Sequence, residues 1–133
     1  MREYARSQTG VLLRRFAYQA ARVSRDCGAE AVHDLRVSIR RLNRCLRTFA
    51  DFYPGHAWKR IRRKLRALME AAGAVRDRDI ALVLMAAAGL PADSPGCDAL
   101  RGERDQAAAR LAAALAQWRQ NRYSRRWREE LGL

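Results

Sequence analysis

Residues 31–49 read AVHDLRVSIRRLNRCLRTF. At about 100° per residue, Val32, Leu35, Ile39, Leu42, Leu46 and Phe49 fall on one side of a helix. His33, Arg36, Arg40, Arg44 and Arg47 gather on the other side within an arc of about 80°, and Arg41 lies on its flank. A strand would alternate with period two, which this stretch does not do. The stretch therefore reads as an amphipathic helix with one face to bury and a cationic ridge on the other.

The same reading extends outward. Alternating β-branched runs are absent, and Ala, Leu and Arg, all good helix formers, dominate. Breakers cluster at Cys27-Gly28, at Tyr53-Pro54-Gly55 and in GLPADSPG, residues 89–96. They predict helices over roughly 6–26, 30–51, 56–88 and 95–122, followed by a short helix to 130. The first carries Leu12, Leu13, Phe16, Ala20 and Val23 on one face. In the third, Ile61, Leu65, Leu68, Met69 and Ala72 lie opposite Lys59, Arg62, Arg63 and Arg66. The fourth has Ser94 as N-cap and Pro95 at the first helical position. Short connections favour antiparallel neighbours, so the expected fold is all-α, a single domain over 1–133 built as an up-and-down four-helix bundle.

Charge narrows the function. The chain holds 27 Lys+Arg against 14 Asp+Glu in 133 residues, a net charge of +13. His33 to Arg66 holds eleven of those cations and two acids, Asp34 and Asp51. Solvated helix faces usually mix signs, because opposite charges at i,i+4 stabilise them and like charges there repel. Arg36/Arg40 and Arg40/Arg44 repel in this way, which a bound polyanion would relieve. Arginine forks suit phosphate oxygens. The expected anion-binding residues are His33, Arg36, Arg40, Arg41, Arg44, Lys59, Arg62, Arg63 and Arg66. Arg15, Arg22, Arg47 and Arg76 form an outer set, and Arg15 and Arg22 share a face with Tyr18. His33 on the ridge can donate to a phosphate oxygen, so that binding tightens as pH falls, or it can serve as an ordinary packing or capping histidine.

Other chemistry has little support. Two histidines and no CxxC or HExxH spacing argue against a metal site. No serine has a histidine–acid context, no Gly-rich phosphate loop is present, and no carboxylate pair suits acid–base work. The expectation is a non-enzyme with no cofactor. Three cysteines, an odd number, point to reduced thiols and a cytoplasmic location. The longest apolar run, Ile80–Leu90, is too short to span a bilayer. In GAVRDRDIALVL, residues 73–84, Arg76 and Asp79 lie on the apolar side of the helix at i,i+3 spacing. They read as a structural ion pair; alternatively Arg76 reaches the anion site, oriented by Asp77 or Asp79.

VHDLRVSIRRLNRCLRTF (32–49) followed by GAVRDRDIALVL resembles the CHAD family, the conserved histidine α-helical domain. The first motif is carried by His33, Arg36, Arg40 and Arg41, the second by Gly73, Val75, Arg76, Asp77 and Asp79. The resemblance implies a helical protein that binds inorganic polyphosphate in a basic pore or groove, in some settings on polyphosphate granules. His33, Arg36, Arg40, Arg44, Lys59, Arg62, Arg63 and Arg66 would line it. Some relatives carry a triphosphate-cleaving β-barrel, an activity not expected of a chain without strands. Family members are typically about twice this length and form two bundles, so a homodimer would rebuild the pair. The competing expectation is a nucleic-acid binder. RQNRYSRRWREE, residues 119–130, interleaves arginine with Tyr123 and Trp127. Against it, the ridges carry no aromatic residue and few groove-reading side chains.

Overall fold

Helix ends fall where the chain can turn. Gly55 and Gly89 take positive φ, 60° and 82°, where a Cβ would be strained. Ser94 accepts a hydrogen bond from the Cys97 N–H, and Pro95 opens the helix that follows. The computed structural model describes residues 1–133 as five α-helices with no strand. They are α1 (Arg2–Arg25), α2 (Ala29–Thr48), α3 (Ala57–Ala87), α4 (Pro95–Gln120) and α5 (Tyr123–Glu130), with a 3-10 turn at Ala50–Phe52.

Two boundaries differ from the expected ones, each for a packing reason. α1 begins at Arg2 rather than near residue 6, because its first two turns are tied to the end of α2. Ala5 and Thr9 are buried there, and the Tyr4 ring meets Phe49 edge-on at 6.0 Å. α2 stops at Thr48, where the 3-10 turn begins a fold-back that buries Tyr53. Thr9 donates its hydroxyl to the Ala5 carbonyl at 2.6 Å. The Tyr53 hydroxyl, 2.7 Å away, is thereby left to donate to Thr9. Burial pushes the Tyr53 phenol far above its ordinary pKa. Residues 123–130 form the short helix expected up to 130, set off from α4 because Arg122 is left-handed at φ 53°. That conformation costs roughly 1–2 kcal/mol. Turning there brings Trp127, 2% exposed, against Phe16 and Trp118 at 6.1 and 5.6 Å between ring centroids. Burying one large side chain stabilises by about 1.5–3 kcal/mol, and the aromatic contacts add to that.

The core follows helical spacing. α1 contributes Leu13, Phe16, Ala20 and Val23; α2 contributes Val32, Leu35, Ile39, Leu42 and Leu46. α3 supplies Ile61, Leu65, Leu68, Ala72 and Val75, and α4 supplies Leu111, Leu115 and Trp118. Each helix packs on the next in sequence, α1 on α2, α2 on α3 and α3 on α4, and α4 also touches α1. Phe49 and Met69, placed with the buried faces by the wheel, are only half-buried at the edge of this core.

The ion pair expected between Arg76 and Asp79 is replaced. Asp79 points from α3 toward α4 and receives Arg104 Nε at 3.0 Å. The other end of that guanidinium donates to the Cys27 carbonyl. One arginine thus ties α3, α4 and the α1–α2 connection together. Both side chains are largely enclosed, 20% and 14% exposed, so each depends on the other for its charge. Burial also pushes the Cys27 thiol beside this clasp above its usual pKa. Asp79→Ala strands Arg104 and should lower unfolding stability by about 2 kcal/mol in urea titration, whereas Asp77→Ala, on an exposed side chain, should leave the midpoint nearly unchanged.

Candidate anion-binding site

Burying Val32, Leu35, Ile39, Leu42 and Leu46 sets the rotation of α2 about its axis, and so decides where its arginines point. Burying Ile61, Leu65 and Leu68 does the same for α3. The two helices run in opposite directions along their contact, so that Asn43 meets Arg62 while Arg36 meets Arg66 and Gly73. Arg36 from α2 and Arg66 from α3 line one depression of about 420 Å³, with Gly73 in its wall. A Cβ at Gly73 would meet no atom within 4 Å, so the wall there borders open space.

Arg62 is the best-positioned cation of this seam. Its Nε donates to the Asn43 carbonyl oxygen at 2.8 Å. Burial first, then the charges of Arg66 and Arg47, hold its guanidinium below the usual arginine range. Asn43 is therefore a positioning residue that composition and wheel did not single out. Its neutral side chain faces a guanidinium, and that pairing depends on the packing of α2 on α3. Arg36 is half-buried, and its Nε is buried without a hydrogen-bond partner.

The cations central to the seam, Arg36, Arg47, Arg62 and Arg66, take no part in an ion pair. The ion pairs of the protein take Arg22, Arg60, Arg78, Arg101, Arg104 and Arg125. None of these belongs to the nine residues expected first at the anion site. The two acids of the basic segment do not alter this. Asp34 is bound by Arg22 at 2.6 Å, and Asp51 lies exposed in the 3-10 turn. Two carboxylates do reach the edge of the depression, Glu70 and Asp77, beside Arg78. Arg78 itself turns to Glu103 on α4 at 3.8 Å.

The remaining candidates divide among other faces. His33 and Arg40 are exposed on α2, and Lys59 is exposed one turn before Arg62, its ammonium 5.6 Å from the Trp58 ring. Arg41 and Arg44 flank the α1 side of α2 and line a depression there with Tyr4 and Leu12. Arg63 faces α5, in a hollow shared with Tyr123 and Trp127. Lys64 next to it donates to the Tyr123 hydroxyl at 2.9 Å, and Arg60 pairs with Glu130. The α5 side of α3 thus uses its cations to hold α5. Arg15 lies in the α1–α2 cleft, and Arg22 is occupied by Asp34. Arg76 lines a small hollow with Ile80 and Val83, away from the Arg62 cluster.

No helix is long and apolar enough to cross a membrane. Comparison with curated proteins and with solved structures finds no match. The chain does match the family model for the CHAD domain over residues 9–132. With an all-helical fold and the match running over nearly its whole length, this chain belongs to the CHAD domain family.

Proposed function

We propose that the protein binds inorganic polyphosphate, without catalysis, along the seam between α2 and α3. Arg36, Arg47, Arg62 and Arg66 form the centre of the path. Arg40, Lys59 and His33 extend it along the exposed edge of α2 and the start of α3, and Arg44 lies off it on the α1 side. The observation that carries this reading is the set Arg36, Arg47, Arg62 and Arg66, gathered where α2 meets α3 with none of them in an ion pair. Unpaired like charges held side by side raise the energy of the free protein, and a linear polyanion lowers it. Arg41, Arg63 and Arg76 add to the surrounding field and contribute less.

Polyphosphate offers oxygens and no bases, which suits a seam without an exposed aromatic ring. A nucleic acid would need stacking platforms or base-edge donors there. In this reading α1–α4 act as one up-and-down four-helix unit, and a second copy of the chain supplies a second one. Ile80, Val83 and Leu84 are 41%, 68% and 63% exposed at the end of α3, an apolar strip that a twofold-related copy would cover.

Long-chain polyphosphate should hold its place against duplex DNA and structured RNA at equal phosphate concentration and physiological salt. Displacement by DNA would favour the nucleic-acid reading. Arg40→Glu with Arg66→Glu should abolish polyphosphate binding with helical circular dichroism unchanged, and retained binding would locate the site on another face. In light scattering the parent should have the mass of a dimer and Val83→Asp that of a monomer; a monomeric parent would remove the second copy.

A further inference from the structure

The cleft between α1 and α2 is chemically unlike the α2–α3 seam. It encloses about 490 Å³, within the range of small-molecule sites. Its apolar lining comes from Val11, Leu12 and Val37. Arg14, Arg15 and Arg41 line it, and none of them is in an ion pair. The Tyr18 ring stands at its rim, 61% exposed. No aromatic or cationic side chain packs on that ring, whereas Tyr4 rests on Phe49 and Tyr123 is covered by Lys64.

The cleft also carries hydrogen-bonding groups of both signs. Asp34 accepts Arg22 Nη1 through Oδ2 at 2.6 Å, and its Oδ1 is left without a partner. The Gln19 carbonyl oxygen lies 3.5 Å from the same Arg22 nitrogen, which turns its amide NH₂ away from that contact. A free carboxylate oxygen repels a bare phosphate chain. It attracts a ligand that has N–H donors, and the Gln19 amide can serve a neighbouring acceptor.

We propose that this cleft binds a nucleotide unit, either a free nucleoside phosphate or one residue of single-stranded RNA. The base lies against the apolar lining and stacks on Tyr18. Its mixed donor–acceptor edge meets Asp34 and Gln19, and its phosphates meet Arg15 and Arg41. The arrangement combines guanidiniums and a carboxylate, which the seam also has, with what the seam lacks: an exposed ring, Tyr18, beside the apolar side chains of Val11, Leu12 and Val37. The site is independent of the polyphosphate reading, since its defining groups, Tyr18, Gln19 and Asp34, lie outside the seam.

The test is calorimetric titration of the full chain with ADP, GDP, CDP and UDP, against pyrophosphate as the base-free control. At least one nucleoside diphosphate should bind roughly ten-fold more tightly than pyrophosphate, the size of effect expected from stacking one base. Tyr18→Ala should remove that advantage and Tyr18→Phe should keep it, with polyphosphate binding unchanged in both. The ring is exposed, so neither variant should affect folding. A pentanucleotide RNA separates the two sources. Tighter binding than any mononucleotide identifies single-stranded RNA, and equal or weaker binding identifies the free nucleotide. Pyrophosphate binding as tightly as every nucleotide, or a nucleotide affinity indifferent to Tyr18→Ala, would overturn the proposal.

Discussion

The row Val32, Leu35, Ile39, Leu42 and Leu46 fixes α2 against both α1 and α3. Each side chain is within a few per cent of complete burial, and together they stabilise by an amount on the order of 10 kcal/mol. Rotating α2 by one residue would expose part of that row. No cluster of surface arginines can outweigh such a loss, since exposed charge interactions are individually worth less than about 1 kcal/mol. The positions of the arginines are therefore a consequence of the buried row: Arg36, Arg40 and Arg47 face α3 or solvent, and Arg41 faces α1.

Electrostatics then distinguishes faces that packing alone would leave alike. The α5 side of α3 pairs its cations, with Arg60 on Glu130 and Lys64 on Tyr123. The α3–α4 interface closes on Asp79 and Arg104. The α2–α3 seam gathers several guanidiniums, and the hydrogen-bond partner of Arg62 there is neutral, Asn43. Arg62 registers the consequence directly, because burial and two neighbouring arginines weaken its hold on its proton. A protein keeping charges this close gains from any ligand that supplies negative charge along the same line.

Helix content and buried faces were legible from spacing in α1, α2 and α3, most clearly in α2, because 3.6-residue periodicity of the buried positions survives in the sequence. Pairing was not legible. Arg76 and Asp79 look like partners at i,i+3, yet Asp79 turns toward α4, and nothing near Arg104 marks it as the residue that arrives there. The end of α4 near residue 122 was expected, but its cause was hidden, since Arg122 is neither glycine nor proline. The turn there exists because Trp127 finds Phe16 and Trp118 on helices distant in sequence. The wheel grouped Arg63 with Arg62 and Arg66 through an arc of about 100°, and the docking of α5 drew Arg63 to a different face. These misses share one cause: each depends on which helix lies across an interface, and a single helix carries no record of its neighbour.

The salt dependence of polyphosphate affinity tests most directly the claim that unpaired cations on the α2–α3 seam are the binding site. Each cation that neutralises a phosphate releases a counterion, and the slope of log affinity against log salt counts them. Replacing Arg36, Arg47 or Arg62 singly by Gln should reduce that slope by about one each. Replacing Arg101 or Arg125, exposed and already paired with Asp98 and Glu129, should leave it unchanged. Equal loss of slope from both groups would mean that polyphosphate responds to net charge alone, and would contradict a site built on the seam.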